Sequence, residues 1–306
     1  MQLTEIRKEL RFNVELVQLI ETLKNIAAQE YHMMEKEKER FDMFMDAFSG
    51  FFRVVNLVNV EDPLVKVVSD VLGIVVVTSD SGFMGGLNQG VIRAAAQAQG
   101  DLPDSKVALI VIGDKGAGSY TDQGREFKFF KGINPPVTED KIYQQAVEIR
   151  EYIVNEVLAL RMGKVVLAYP KPISFSAQQI EVINILPCGE LFDKNAESEI
   201  ARRAEGKGLI GDAGNVIVES SFPDMVQYLA GTWVESKLFE VFEDSKLAEF
   251  SARAMHLEGS YQKLESELKK IKHLAFKAAH EQIDKGMRES FAAKGGRARR
   301  QKKDAA

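Results

Sequence analysis

The stretch FSARAMHLEGSYQKLESELKKIKHLAFKAA, Phe250–Ala279, decides the architecture. Within it Phe250, Ala254, Leu257, Tyr261, Leu264, Leu268, Ile271, Ala275 and Ala278 recur at alternating spacings of four and three. That is the 3.5-residue period that gathers apolar side chains on one seam of a left-handed coiled coil. A second track opens the chain at Leu3, Ile6, Leu10, Val14, Val17, Ile20, Leu23, Ala27, Tyr31 and Met34, and weakens through Phe41, Met45 and Phe48. Each seam needs a helical partner. Because the two lie at opposite ends of the chain, the economical solution pairs them as a long antiparallel coiled coil, with the middle of the chain folded as an inserted body.

The first helix is expected from about Leu3 to about Phe48, with no internal proline and with Gly50 and Pro63 bracketing its end. Ser221-Phe222-Pro223-Asp224 reads as the cap and first turn of the last helix, which meets no further proline. At 1.5 Å per residue the two would be on the order of 70 Å and 100 Å long. The expected organisation is a coiled-coil helix over 1–55, an α/β domain over 65–215, a coiled-coil helix over 220–293 and a basic tail over 294–306.

Between the helices the pattern changes to short β-branched runs: Gly73–Asp80, Lys106–Asp114, Lys164–Pro170 and Gln179–Pro187. Helical stretches at Asn88–Ala98 and Glu139–Leu160 separate them. This alternation predicts an α/β layer with a largely parallel sheet, and the flat hydrophobic strands imply that both of its faces are covered. The last run alternates polar Gln179, Glu181 and Asn184 with aliphatic residues, as an edge or half-exposed strand does. Cys188–Asn215 is polar and glycine-containing, a linker or insertion, and a short apolar run follows at Asn215–Val218.

Composition narrows the function classes. A chain of 306 residues that is 45% hydrophobic buries a core, which excludes disorder throughout. A net charge of −5 gives no support to a global polyanion-binding role, and no nucleic-acid partner is expected. The local exception is Lys294, Arg297, Arg299, Arg300, Lys302 and Lys303. One cysteine, Cys188, makes neither an internal disulfide nor a structural metal site and points to a reducing compartment. No apolar stretch reaches the ~20 residues of a membrane span and the first residues carry no signal-peptide core, so a soluble or peripheral protein is expected.

The best candidate for a ligand site is TSDSGFMGGLNQG, Thr78–Gly90, a glycine-rich turn that leaves a strand and enters a helix. Its spacing fits neither the dinucleotide fingerprint nor the P-loop, and no Lys-Ser or Lys-Thr pair follows. GDKGAG, Gly113–Gly118, also follows a strand and reads as a sharp strand-to-helix turn. His32, His256, His273 and His280 all fall on the long helices, and no serine sits in a nucleophile elbow. No catalytic, cofactor or metal site is therefore expected.

These residues resemble the gamma subunit family of F-type ATP synthases over nearly the whole chain. TSDSGFMGGLN is similar to the family's T-S-D-R-G-L-C-G-G-L-N, with Ser81, Phe83 and Met84 departing from it. IGDKG at Ile112–Gly116 resembles I-G-x-K-G, and VLAYPKPIS resembles the family's V-Y-L-V-Y-N-K-F turn. In Trp233–Ser260 the residues Glu235, Ser236, Leu238, Ser245, Glu249, Ala252 and Arg253 match the family's fourth block. IRKEL at Ile6–Leu10 and LKNIAA at Leu23–Ala28 resemble the family's opening helix, but Glu9, Glu15, Glu21 and Glu30 replace positive charge there. Ala278, Ala279, His280 and Glu281 stand where the family has A-R-Q-A.

The resemblance implies a non-catalytic rotor shaft that couples ion-driven rotation to ATP synthesis or hydrolysis. Its partners would be the alpha and beta subunits of the surrounding ring, the epsilon subunit and the membrane c-ring, so that membrane association is indirect. It assigns shaft and ring contacts to Leu23, Ile26, Leu264, Leu268, Ile271, Ala275, Ala279, His280 and Ile283. The turn residues Asp80, Gly82, Gly85, Gly86 and Asn88 are structural on this reading. The missing transit peptide points to the cytoplasmic face of a bacterial inner membrane. The alternatives are a stand-alone coiled-coil adaptor with an α/β docking module, and an α/β enzyme using the glycine turn for phosphate.

Overall fold

The computed structural model describes residues 3–54, 62–188 and 221–303, and side chains within these outside 37–54, 222 and 293–303. Helix α1 spans Leu3–Val54 and the last helix, α5, spans Phe222–Lys303. Between them come β1 (Leu72–Val77), α2 (Leu87–Gln99), a 3-10 turn at Asp104–Lys106, β2 (Val107–Ile112) and α3 (Asp114–Asp122). β3 (Lys128–Phe130), α4 (Glu139–Leu158), β4 (Lys164–Ser174) and β5 (Ala177–Leu186) complete the series. The apolar run expected at Asn215–Val218 and nearly all of the expected linker lie outside the described residues.

The chain divides into two compact units. One contains Met1–Ile26 and His256–Ala306, the other Ala27–Met255.

In the first unit the burial pattern follows the heptad track. On α5, Leu257 and Leu268 are buried and Tyr261, Leu264, Ile271, Ala275 and Ala278 half-buried, whereas Lys263, Glu267, Lys270 and Lys277 are exposed. On α1, Ile6 is buried and Leu10, Val14, Val17, Ile20 and Leu23 half-buried. Lys24 Nζ meets Glu258 Oε2 at 3.0 Å and lies over the Tyr261 ring. Since α1 arrives at that point from Leu3 and α5 leaves it towards Lys303, the packed pair runs antiparallel. Asn13 is a polar intrusion into the seam: it is nearly buried, and its Nδ2 donates to the Glu9 carbonyl at 2.9 Å. Every residue from Glu281 to Ala292 is exposed. The α5 backbone remains helical through Gly295 and Gly296 to Lys303.

The second unit is built on a five-stranded sheet in the order β3-β2-β1-β4-β5. β1 pairs parallel with both β2 and β4, β2 parallel with β3, and β5 closes the sheet antiparallel to β4. Alternation along the central strands fills two cores. Val75, Val77, Ile110, Ile112, Val165 and Leu167 face a core completed by α4 and α5, whereas Ile74, Val76, Leu109, Val111, Val166 and Ala168 face one completed by α2 and Tyr120. Both faces are thus covered, which is why β1 reads LGIVVV without a polar residue. Helix α4 contributes Ile142, Ala146, Ile149, Ile153 and Val157, a stripe at helical spacing, and begins at Thr138, whose side chain accepts from the Lys141 N–H. The N-terminus of α5 is capped as its sequence suggests, with the Asp224 N–H donating to Ser221 Oγ at 3.3 Å.

The alternating run became the edge strand β5, and its polar face is occupied. Glu181 accepts from Tyr169 Oη at 2.9 Å, Lys171 Nζ at 3.0 Å and Gln179 Nε2 at 2.8 Å. Burial raises the Glu181 pKa, but the hydrogen bonds from Lys171 and Tyr169 outweigh it and hold the carboxyl below its ordinary value. One element escapes the sequence reading: β3, three residues long. α3 starts inside GDKGAG, at the strand-to-helix turn expected there, although the composition is poor in helix formers.

Candidate functional site

The two glycine turns are one structure. Helix α3 has Gly113 as its N-cap and therefore no capping side chain of its own. Its first four N–H groups nonetheless all have acceptors, as the exposed end of a helix requires. Three of these come from the Thr78-Ser79-Asp80 segment that follows β1. The Asp114 N–H donates to Asp80 Oδ1 at 2.9 Å, the Lys115 N–H to the Ser79 carbonyl at 3.0 Å and the Gly116 N–H to Thr78 Oγ1 at 2.9 Å. The fourth, Ala117, donates to the Gly113 carbonyl. The T-S-D segment is thus a cap supplied from more than thirty residues away, and the Asp80 carboxylate also suits the positive end of the helix dipole.

Each member is fixed from a second direction. Thr78 Oγ1 donates to the Ile112 carbonyl at 2.7 Å, and the Thr78 N–H donates to the same carbonyl at 2.8 Å. Asp80 Oδ1 also accepts from the Gly132 N–H at 3.1 Å. Ser79 is held by Asn88, whose Oδ1 accepts from the Ser79 N–H at 3.1 Å and whose Nδ2 donates to Ser79 Oγ at 2.9 Å. Two glycines are required for this closeness. Gly113 has φ 93°, and a β-carbon there would run into the Thr78 carbonyl; one at Gly116 would lie 2.6 Å from Thr78 Oγ1. Gly85 turns the chain with φ 57°, Gly86 precedes α2 as its N-cap, and Gly82 offers its carbonyl to α5.

That contact comes from Arg253, whose Nε donates to the Gly82 carbonyl at 3.4 Å. Arg253 is oriented by Glu249, with Nη2 2.6 Å from Oε1, and Glu249 Oε2 meets Lys246 Nζ at 2.7 Å. Lys246 and Glu249 are buried, so this ionic chain is shielded from solvent and is stable only because each charge has its partner. Neighbouring Ser251 receives a hydrogen bond from Gln178 of β5 at 2.9 Å.

The arrangement bears on ligand binding. Open parallel sheets bind ligands outside the carboxyl ends of their strands where the strand order reverses, here between β1 and β4. A crevice does lie there, lined by Val77, Ser79, Asn88 and Pro170, but Phe242, Ser245, Lys246 and Glu249 of α5 form another wall of it. The cation on that wall, Lys246, is committed to Glu249, and the N-terminus of α3 is committed to Thr78, Ser79 and Asp80. What the residues accomplish is fastening: a strand end, two helix starts and a segment of α5 are tied through buried polar groups.

Of the residues expected in the turn, the structure brings Asp80, Gly82, Gly85, Gly86 and Asn88 together around this joint. Sequence reasoning missed Thr78 as the trans cap, Lys246 as the inner cation and the contact of Arg253 with the turn. The available signal was a threonine at a strand end followed by Asp two residues later, an N-cap composition with no helix directly after it. The residues expected at shaft and ring contacts differ in burial. Leu268 is buried, Leu23, Leu264, Ile271, Ala275 and Ala279 are half-buried, and Ile26, His280 and Ile283 are exposed, Ile26 at 51% and Ile283 at 54%. None of the four histidines lines the crevice. His32 stacks on Phe175, and the other three are exposed along α5.

Comparison with known proteins gives concordant findings. A family model described as ATP synthase matches residues 2–289. The ATP synthase gamma chain of Desulforudis audaxviator (strain MP104C) is 26% identical over 190 residues, 61% of this chain and 61% of that one. The gamma chain of Helicobacter pylori (strain HPAG1) is 28% identical over 191 residues, 59% of this chain and 57% of that one. The chain thus spans about three-fifths of the length of the curated relatives it matches. Among solved structures, it is similar to a chain of the Euglena gracilis mitochondrial ATP synthase, OSCP/F1/c-ring, rotational state 3. The TM-score is 0.65 at 13% identity, covering 95% of this chain and 93% of that one. A chain of the Tetrahymena thermophila mitochondrial ATP synthase central stalk/c-ring gives a TM-score of 0.54 at 14% identity, covering 79% and 99%. At these identities the structural likeness establishes the fold.

Proposed function

We propose, because this chain belongs to the ATP synthase family as a gamma chain, that it is the central rotor shaft of an F-type ATP synthase, coupling ion-driven rotation to ATP synthesis or hydrolysis. The observation that carries the reading is the family match over residues 2–289, which takes in the α/β body together with nearly all of both helices that form the seam. On this reading the helices of 1–55 and 220–293 are the shaft, 65–215 the body and 294–306 a basic tail. The shaft turns inside a ring of alternating alpha and beta subunits, with epsilon and the membrane c-ring at its foot. It is a peripheral component at the cytoplasmic face of a bacterial inner membrane. Among the described residues no helix is long and apolar enough to cross a membrane.

The chemistry of such a shaft is mechanical. An asymmetric pair of helices presents a different face to each beta subunit and so favours a different affinity state at each nucleotide site, because a contact shifts an equilibrium only by its differential interaction with the two states. Leu23, Leu264, Leu268, Ile271, Ala275 and Ala279 serve as the seam that keeps the shaft from twisting. Ile26, His280 and Ile283, exposed on the helices, serve as contacts to the ring. The test is reconstitution with the chain's own alpha and beta subunits. The pure chain should lack ATPase activity, co-assemble with the ring and restore coupled hydrolysis. Turnover by the pure chain, or isolation at native expression without alpha and beta, would overturn the proposal, the second result in favour of the adaptor.

A further inference from the structure

Strand β4 outruns the sheet. Its pairing with β1 ends at Ala168, whereas its pairing with β5 continues from Tyr169↔Glu181 to Ser174↔Ala177. Tyr169–Ser174 and their partners therefore form a two-stranded arm, about 20 Å long at ~3.4 Å per residue, that extends beyond the neighbouring strands. The arm is stiffened across its base, where Glu181 accepts from both Tyr169 and Lys171. Its tip is the two-residue turn Phe175-Ser176. Turns of that length favour Asn, Asp and Gly, so turn chemistry does not account for a phenylalanine there.

Its contacts account for it. The half-buried Phe175 ring packs edge-on to Tyr31 of α1 with centroids 5.0 Å apart, and stacks on His32 at 5.8 Å with 8° between the planes. Tyr31 is buried in the core and its hydroxyl donates to Glu35 at 3.2 Å, so the ring that Phe175 meets is itself held. From the facing strand, Gln178 Nε2 donates to Ser251 Oγ of α5 at 2.9 Å, and the buried Ser251 donates in turn to the Ala248 carbonyl at 3.1 Å. One arm thus grips both long helices, near Ala27 and Met255, where the body begins on α1 and ends on α5. We infer that the arm is a clamp locking the two helices to the α/β body, with Phe175 the positioning residue through which body and α1 turn together; the turning rests on the shaft reading. Apolar seam contacts are non-directional and resist separation more than rolling. Tyr31 and His32 are consecutive, so their side chains leave α1 about 100° apart, and a ring seated against both opposes rolling in either sense. The directional bond from Gln178 does the same for α5.

The test compares the unaltered chain with Phe175→Ala, Phe175→Tyr and, on the same arm, Ile173→Ala, whose side chain is exposed. Amide hydrogen exchange of the full chain reads the grip. In Phe175→Ala the amides of 31–36 should exchange about tenfold faster while those of α4 stay unchanged, and the other two variants should match the unaltered chain. Reassembled with the chain's own alpha, beta and membrane subunits, Phe175→Ala should hydrolyse ATP within about twofold of the normal rate but move at least about threefold fewer ions per ATP, and Phe175→Tyr should restore the ratio. If Phe175→Ala does not fold, Phe175→Leu, which keeps apolar bulk without the ring faces, is read in its place. Unchanged exchange at 31–36 would overturn the clamp. Faster exchange with a normal ion-to-ATP ratio would overturn the positioning role. Failure of the unaltered chain to assemble with the ring would overturn the shaft reading and the torque role, and the exchange result would still decide the clamp.

Discussion

Replacing Thr78 by valine tests the trans cap, because the two side chains have nearly the same shape and only the hydroxyl is lost. Two hydrogen bonds disappear, with unequal consequences. The Ile112 carbonyl keeps the Thr78 N–H as a donor at 2.8 Å, so losing its 2.7 Å partner costs about 0.5–1.5 kcal/mol, the net value of one bond. The Gly116 N–H loses Thr78 Oγ1, and a buried donor left without an acceptor costs about 1–3 kcal/mol. Thr78→Val is therefore expected to destabilise by roughly 2–4 kcal/mol. Thr78→Ser keeps the hydroxyl and removes one buried methyl, at about 1 kcal/mol. Urea unfolding followed by the fluorescence of Trp233, the chain's single tryptophan and buried in the same unit, reads both variants. Amide hydrogen exchange at Gly116 localises the effect, since protection should fall there in the valine variant alone. A valine variant no less stable than the serine variant, or unchanged protection of the Gly116 amide, would refute the cap.

Gly113→Ala should destabilise by about 1–3 kcal/mol, from its φ of 93° and the encounter with the Thr78 carbonyl, whereas Gly118→Ala, with open space at its β-carbon inside α3, should stabilise by about 0.5–1 kcal/mol; the same unfolding assay compares them. Burial pushes the Cys188 thiol up to about 12, so iodoacetamide at neutral pH should label it at least about 100-fold more slowly in the folded chain than in urea. Because that pKa is raised on folding, its contribution to stability is whole below the unfolded thiol's value of about 8.5 and is lost as pH rises towards about 12; Cys188→Ala should flatten the alkaline limb of the stability profile. Leu268→Asp puts a carboxylate into the seam at a cost of several kcal/mol and should weaken the helix pair, seen by circular dichroism on heating, and, on the proposed shaft reading, ring assembly. Wild-type melting of that variant would show that Leu268 does not face the seam.

The parts legible in the sequence are those whose cause is periodic. Heptad spacing located both seams because each position answers to the same partner helix, flat β-branched runs located three strands because both sheet faces are covered there, and alternation located the edge strand β5. Asn13 broke the first rule without notice, since a polar residue in a seam is compatible with the pattern around it. The short β3 and the start of α3 left no periodic trace. In α3 the local composition opposes helix, and the helix starts there because acceptors arrive from Thr78, Ser79 and Asp80. A cap supplied across 34 to 38 residues of chain is invisible to any local reading. This also explains why four separate blocks resembled one family. Thr78–Asn88 forms the turn, Ile112–Gly116 the helix start that it caps, Pro170 a wall of the crevice, and Glu249 with Arg253 the arm reaching Gly82. Their meeting at one corner of the sheet makes them a single joint, so a substitution in any block is expected to disturb the other three. The strength of that coupling is measurable by double-mutant cycles between Thr78 and Arg253, which touch no common atom but hold the same turn.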